Sequence, residues 1–359
     1  MYPEILGITV IKLSEIRIAI AGIGNSASSL LQGIQYYADN GISLGLLHGK
    51  LGKYTAGDIK LVAAFDIDKN KIGKDVSEAI YADPNKAPRI MELKKTGVKV
   101  QMGPHPDHFE ESSMSQVQLA ETQSVDVGKV LKEARVDLVL NLISGGADKA
   151  SRLYAEAARE AGCGFINATP SGIVNDISMA SAFKKAGLPL AGDDLMSQMG
   201  ATAVHIGLLE FLDSRGVHIE ESYQLDVGGG SESINTLEKT RDIKRTIKTD
   251  AVKKHIPYDF ELVSGSADFV DFLVNGRDSF FYVKGSYFGG AEFTLDMKLS
   301  TEDSPNAGAV LVDVIRGMMI AKEQGIGGPV EPVCSYGFKR PPRRYKMPEA
   351  YRLFKEFTT

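Results

Sequence analysis

Two groups of residues in this sequence have the types and spacing to do chemistry. In "IRIAIAGIGNSASSLLQGI" (residues 16–34), Gly22, Gly24 and Ala27 make a Gly-x-Gly-x-x-Ala turn directly after an apolar run. Gly22 permits a tight turn, Gly24 lets backbone approach a pyrophosphate, and Ala27 keeps the next helix close to a sheet. The helix would begin at Asn25 and Ser26, where N–H groups and a partial positive charge face phosphates. In "RDIKRTIKTDAV" (residues 241–252), Lys244 and Lys248 are four apart and share one helical face. They are either solvated surface lysines or a cationic site in which a depressed pKa lets lysine carry a proton.

Asp66 closes the next β-rich run, "IKLVAAFDID" (residues 59–68). An acid there accepts hydrogen bonds from adenine ribose hydroxyls and repels a 2′-phosphate, which favours NAD over NADP. The usual separation is about 20 residues. A glycine-bearing insertion, with Gly41, Gly45, Gly49, Gly52 and Gly57, lengthens it here; the insertion is either a structural loop or a flap over the nucleotide.

These residues need a frame, and the first half supplies one. Short β-rich runs alternate with helical periodicity: "VDLVLNLISGG" (136–146), "CGFINATPS" (163–171) and "LPLAGDD" (188–194) follow the two above. This pattern predicts a doubly wound parallel sheet, a Rossmann-type α/β fold binding at the carboxyl ends of its strands. Ser144, Gly145 and Asp194 sit at such ends. The first helix should bury Ala27, Leu30, Leu31, Ile34 and Ala38. From Met196 to Leu299, longer alternating runs without regular crossover helices read as an antiparallel α+β insertion. A helix then opens in "DSPNAGAVLVDVIRGMMIAKEQG", with Ser304 as cap, Pro305 at its first position and Gly325 at its end. The expected divisions are 1–195, 196–300 and 301–359.

Composition narrows the class. The chain has 359 residues, 43% hydrophobic and 24% charged, with a net charge of −5; this is ordinary globular composition and argues against a nucleic-acid partner. No apolar run approaches the roughly 18 residues of a membrane span. The opening "MYPEILGITVIKLSEIR" alternates like a strand rather than a signal peptide, so a cytoplasmic protein is expected. Cys163 and Cys334 make no metal or redox spacing and read as packing residues. "HPDH" (His105 to His108) reads as a loop more than a metal site. The basic "FKRPPRRYK" (338–346) is open between a solvated loop and a phosphate-facing one.

Four later stretches, "GDDLMSQMGAT", "YQLDVGGGSESINTLE", "EDSPNAGAVLVDVIR" and "GFKRPP", together with "GIGNSASSLLQGI", resemble the myo-inositol-1-phosphate synthases of the shorter prokaryotic type, in order and over nearly the whole chain. The resemblance implies an NAD-dependent, redox-neutral isomerase that cyclises D-glucose 6-phosphate to 1D-myo-inositol 3-phosphate. The implied steps are oxidation at C5, proton removal at C6, aldol closure on C1 and reduction at C5. It assigns Lys244, Lys248 and Lys339 to the reacting sugar, and Asp194 and Asp303 to the nicotinamide region. Ser197, Gln198, Gly200, Ala201 and Thr202 fall on the loop that binds the substrate phosphate. It also implies a homotetramer built through the inserted domain, and a divalent or monovalent cation, although no ligand spacing picks one out.

The chain departs from that pattern. Met196 replaces a lysine, Gly230 an asparagine, and Arg277 a further lysine, while the Lys244–Lys248 segment lacks one residue. Arginine keeps the charge and can hold a phosphate but cannot give up a proton near neutral pH. A relative acting on another sugar phosphate, a plain NAD-dependent dehydrogenase and a non-catalytic NAD-binding protein are therefore weighed beside the synthase.

Overall fold

The computed structural model describes residues 15–106, 117–230, 233–234 and 236–359. Most of the opening strand-like run, and Asp107 and His108 of "HPDH", lie outside the described residues. The elements in chain order are β1 (Ile16–Ala21), α1 (Asn25–Asn40), β2 (Ile59–Asp66), α2 (Val76–Ala79), β3 (Val100–Met102), α3 (Val127–Glu133), β4 (Leu138–Asn141), α4 (Asp148–Ala161), β5 (Gly164–Asn167), α5 (Ile177–Ala186) and β6 (Pro189–Ala191). They continue with α6 (Ala201–Ser214), β7 (His218–Gly228), α7 (Arg241–Lys253), β8 (Glu261–Phe269), β9 (Gly276–Ser286), β10 (Glu292–Glu302), α8 (Asp303–Glu323), β11 (Gly328–Pro329), α9 (Glu331–Gly337) and α10 (Met347–Thr358).

A seven-stranded parallel sheet has the order β11-β6-β5-β4-β1-β2-β3. All residues of β4, β5 and β6 are buried, which is why these strands read as continuous apolar runs. Strand order reverses between β1 and β4, and the crevice beyond that point is where such sheets take ligands. On α1, Ala27, Leu30, Leu31 and Ile34 are buried as the spacing predicts, whereas Ala38 is exposed. Gly41 ends the helix in the left-handed conformation.

The second sheet corrects the expected antiparallel insertion. Its order is β10-β9-β7-β8, and β7 pairs with β8 in parallel, so this sheet is mixed. A parallel pair needs a crossover, and α7 supplies it. Polar residues in α7 concealed this role, since only Ile247, Lys248, Ala251 and Val252 of the helix are buried. On β7 the usual alternation is inverted: Ser222, Gln224 and Asp226 are buried while Tyr223 and Leu225 face outward.

The long helix α8 returns to the first sheet and packs on α1. It starts at Asp303, so Ser304 is inside the helix rather than its cap. Its hydroxyl donates instead to Asn275 Oδ1 at 2.6 Å and lies 2.9 Å from Ser29 Oγ. Buried Arg316 of α8 donates to the carbonyls of His48, Gly49 and Tyr54, and Asp313 lies 2.6 Å from His48 Nδ1. The glycine-bearing insertion is thus a structural loop fastened to α8. Among the described residues no helix is long and apolar enough to cross a membrane.

Candidate active site

Gly22 stands with φ +92°, and a Cβ there would fall 2.7 Å from the carbonyl carbon and oxygen of Leu142. The glycine is therefore required by the close approach of the loop after β4 as well as by the turn. That approach sets Ser144 and Gly145 beside Gly24, Asn25 and Ser26, and all five line one open cleft of about 1230 Å³. Gly24 is the N-cap of α1 without a side-chain cap, and a Cβ on it would meet nothing within 4 Å. A cleft-facing glycine, open space above it and the free first turn of a sixteen-residue helix fit a dinucleotide diphosphate. Asn25 Oδ1 also accepts the Lys86 N–H at 2.7 Å, so its side chain fixes a neighbouring loop. Ala27 is fully buried against the sheet.

Asp66 lies at the end of β2, beside the turn. Its carboxylate accepts from the backbone N–H groups of Ile23, Ile67 and Asp68 at 2.7, 2.7 and 3.0 Å, with Lys71 Nζ 3.6 Å away. It holds the glycine turn against the end of β2.

The opposite wall of the cleft is basic. Lys244, Lys248, Arg277 and Lys339 line it with Asp194 and Asp303. Lys248 Nζ lies 2.6 Å from Asp226 Oδ2, Arg277 Nη2 is 2.7 Å from Asp303 Oδ2, and Lys339 Nζ is 2.8 Å from Asp194 Oδ1. The Lys244 side chain passes over Gly145, whose Cβ would come 3.8 Å from Lys244 Cε. The Lys248–Asp226 pair is almost wholly buried, its side chains 8% and 3% exposed. Desolvation lowers the Lys248 pKa against the pull of Asp226, and Arg277 and Lys339 lower it further. Although burial opposes it, the same excess of cations, Lys248 and Arg277, holds the Asp226 carboxyl below its ordinary range.

The paired acids of "GDD" have separate tasks. Asp193 is buried and accepts from Asn167 Nδ2 at 2.7 Å and from the N–H groups of Ile173, Val174 and Asn175; burial raises its pKa against those bonds. Asp194 adopts φ +61°, a conformation that aspartate tolerates better than most residues, and turns toward Lys339.

The expected phosphate loop is only partly in this cleft. Ser197 lines it, but Gln198, Gly200, Ala201 and Thr202 do not. The N–H groups of Met196, Gln198, Met199 and Gly200 donate to Gly337 O, Asn306 O, Asn306 Oδ1 and Ser197 O. What the loop can offer an anion is the Ser197 hydroxyl and the first turn of α6. Met196 and Gln198 line an adjacent hollow of about 790 Å³, which shares Ser197 and Lys339 with the cleft. Of the departures, Gly230 and Arg277 face the cleft itself. In "FKRPPRRYK" only Lys339 lines the cleft; Arg340 donates to Pro170 O, Arg343 lies beside Glu331, and Lys346 pairs with Asp213. Among the described residues no group of three or more His, Cys, Asp or Glu could hold a metal ion.

Asp226, Asn275, Thr169 and Ser266 belong to the site and were not singled out from sequence. Asp226 had a signal: Ser222, Gln224 and Asp226 alternate along β7, which places a carboxylate on the same face as two other polar groups. Asn275 had none, because its role is to receive Ser304 and, through its carbonyl, the Asp303 N–H from a helix 28 residues away.

Fold and site together define a Rossmann-type α/β protein whose switch-point crevice is faced by basic side chains from the second sheet, its crossover helix and the chain after α9. The sequence profile of the family described as myo-inositol-1-phosphate synthase matches residues 200–304. The chain is 40% identical to the inositol-3-phosphate synthase of Mycolicibacterium smegmatis, covering 92% of this chain and 94% of that one. It is 38% identical to the inositol-3-phosphate synthase of Corynebacterium glutamicum, with the same coverage. The crystal structure of Ari2 superposes with a TM-score of 0.77 at 30% identity, over 96% of this chain and 99% of that one. This chain belongs to the myo-inositol-1-phosphate synthase family.

Proposed function

We propose that this protein is an inositol-phosphate synthase that cyclises D-glucose 6-phosphate to 1D-myo-inositol 3-phosphate without net oxidation. The observation that carries the reading is the meeting of Lys244, Lys248 and Lys339 in the cleft that also holds Gly24, Ser26, Ser144 and Gly145. The activity named for the relatives at 38–40% identity supports it. When bound, NAD supplies reversible oxidation at C5 of the sugar. Gly24, Asn25, Ser26 and the first turn of α1 would hold its diphosphate, with Ser144, Gly145 and Asp66 alongside. Removing a proton at C6 creates an enolate, and closing the ring on C1 creates an alkoxide; both are anions beside a phosphate. Lys248 and Lys339 stabilise those charges and move the protons, Lys244 adds positive charge, and Asp194 and Asp303 orient Lys339 and Arg277. Ser197 and the start of α6 near Thr202 receive the phosphate.

In this reading residues 1–195 and 301–359 form the NAD-binding domain, and 196–300 form the catalytic and assembly domain of a cytoplasmic homotetramer. The outer face of the second sheet, with Tyr223, Leu225, Val263 and Phe280 exposed, supports assembly through that sheet.

The test is to incubate the protein with glucose 6-phosphate and NAD, follow NADH absorbance, and identify the product by NMR, with and without added divalent and monovalent cations. Inositol phosphate without net NADH is expected. Net NADH would make it a dehydrogenase. Absence of product under all cation conditions would favour the second reading, another sugar phosphate as substrate, for which Met196, Gly230 and the Arg277–Asp303 pair are the grounds.

A further inference from the structure

We propose that Asp226 is a positioning residue for catalysis, holding the Lys248 ammonium at the wall of the cleft and exchanging a proton with it. The inference rests on the proposed function. Asp226 lies behind Lys248, reaching it at 2.6 Å, and is itself fastened by Gln224 Nε2, which donates to its two oxygens at 3.1 and 3.0 Å. Ser279, its register partner on β9, lies beside the same carboxylate. Beyond Gln224 lies His205 of α6, whose Nε2 is 2.8 Å from Ser222 Oγ. The titratable groups around the pair are Arg277 on β9 with its Asp303, Lys339 after α9 with its Asp194, Lys244 one turn back on α7, and His205 on α6, which burial keeps neutral.

Stability does not account for this arrangement. A buried ion pair gains little over apolar packing of the same volume, because both ions lose their water. Yet β7 turns Ser222, Gln224 and Asp226 inward and leaves Tyr223 and Leu225 outside. The inward polar row ends at the cleft lysine, which is where a function would place it.

The chemistry balances without an outside reagent. The Lys248 proton moves to Asp226 Oδ2, leaving an amine and a carboxylic acid with no change in net charge. The amine then takes the proton from C6 as the enolate forms, and the resulting ammonium protonates the alkoxide after ring closure. Return of the Asp226 proton restores the ion pair.

The experiment compares the pH dependence of kcat for the wild type, Asp226→Asn and Asp226→Glu, and follows the lysine Nζ signals by 15N NMR without substrate, assigning Lys248 by its loss in Lys248→Met. In Asp226→Asn, Lys248 keeps Arg277 and Lys339 beside it and loses the carboxylate it pairs with. Its titration and the matching limb of kcat are expected to move at least one pH unit lower, with kcat down at least 30-fold, KM for glucose 6-phosphate within threefold, and Asp226→Glu recovering most of the loss. A Lys248 titration unmoved in Asp226→Asn, or equal loss in both variants at every pH, overturns the proposal. If Asp226→Asn does not fold, Gln224→Met removes the donors on the carboxylate and must change the same pH limb; an unchanged profile overturns the proposal. A wild type without inositol phosphate product refutes the functional reading, and the NMR titration still decides whether Asp226 governs Lys248.

Discussion

Lys339 and Asp194 are joined twice: the Lys339 N–H donates to the Asp194 carbonyl at 2.8 Å, and its ammonium lies 2.8 Å from the Asp194 carboxylate. One residue follows β6 and the other follows α9, so the double link fixes the chain after α9 over the end of the parallel sheet. A lysine held this way has a fixed position from which to meet an anion in the cleft. Lys339→Ala, and likewise Lys248→Ala, should abolish turnover while NAD still binds, as read by product formation and calorimetric titration. Retention of more than about a tenth of activity, a barrier change under about 1.4 kcal/mol, would remove these lysines from the chemistry.

Two glycines two residues apart should fail in different ways. Gly22→Ala puts a methyl group 2.7 Å from the Leu142 carbonyl in a conformation with φ +92°, and should cost about 2 kcal/mol or more of folding stability. Gly24→Ala points its methyl group into open space at the α1 N-cap, and should cost about 1 kcal/mol or less. It should nevertheless weaken NAD binding at least tenfold, because the methyl group occupies the diphosphate's approach. Thermal melts and NAD titration on both variants separate a structural glycine from a binding one. Equal NAD affinity in Gly24→Ala and wild type would place the diphosphate elsewhere.

Periodicity and strand-end chemistry made the first sheet legible: short β-rich runs became β1, β2, β4, β5 and β6, and Gly24, Gly145 and Asp194 beyond their ends line the cleft, whereas Asp66 and Gly22 do not line it and hold the turn beside it. The two strands that escaped, β3 and β11, have three and two residues, too few to show a period. The second sheet misled for a different reason. Its strands read as alternating runs, but the crossover helix that makes β7 and β8 parallel is mostly polar, and a binary pattern does not recognise such a stretch as a buried connection. Arg316 escaped for a similar reason: a basic residue in a helix reads as surface, yet this one is fully buried among backbone carbonyls contributed by a distant loop.

That buried arginine gives a stability prediction. Arg316 donates to Asp313 Oδ1 at 2.5 Å, both side chains are 0% exposed, and Tyr336 and His48 share the other Asp313 oxygen. Arg316→Leu would strand the Asp313 charge and three loop carbonyls, which should cost about 3–5 kcal/mol. Amide hydrogen exchange should accelerate in residues 47–55 before it does in β1. If the loop keeps its wild-type protection, the arginine is not what fastens it.

His205 gives a pH prediction whose sign is fixed by burial. Desolvation lowers its pKa from 6.5 to about 4, against the opposing pull of Gln224 and Asp226. The unfolded chain therefore binds a proton from about pH 6.5 downward that the folded chain refuses until about pH 4. No penalty from this residue is present above pH 6.5; one grows as pH falls through that window, reaching about 2 kcal/mol at pH 5. His205→Gln keeps a polar side chain beside Ser222 and removes the titration. Urea denaturation at pH 7.5 and pH 5 should show that the variant loses about 2 kcal/mol less than the wild type over that interval. Equal losses would mean that His205 is protonated in the fold, with Asp226 outweighing burial.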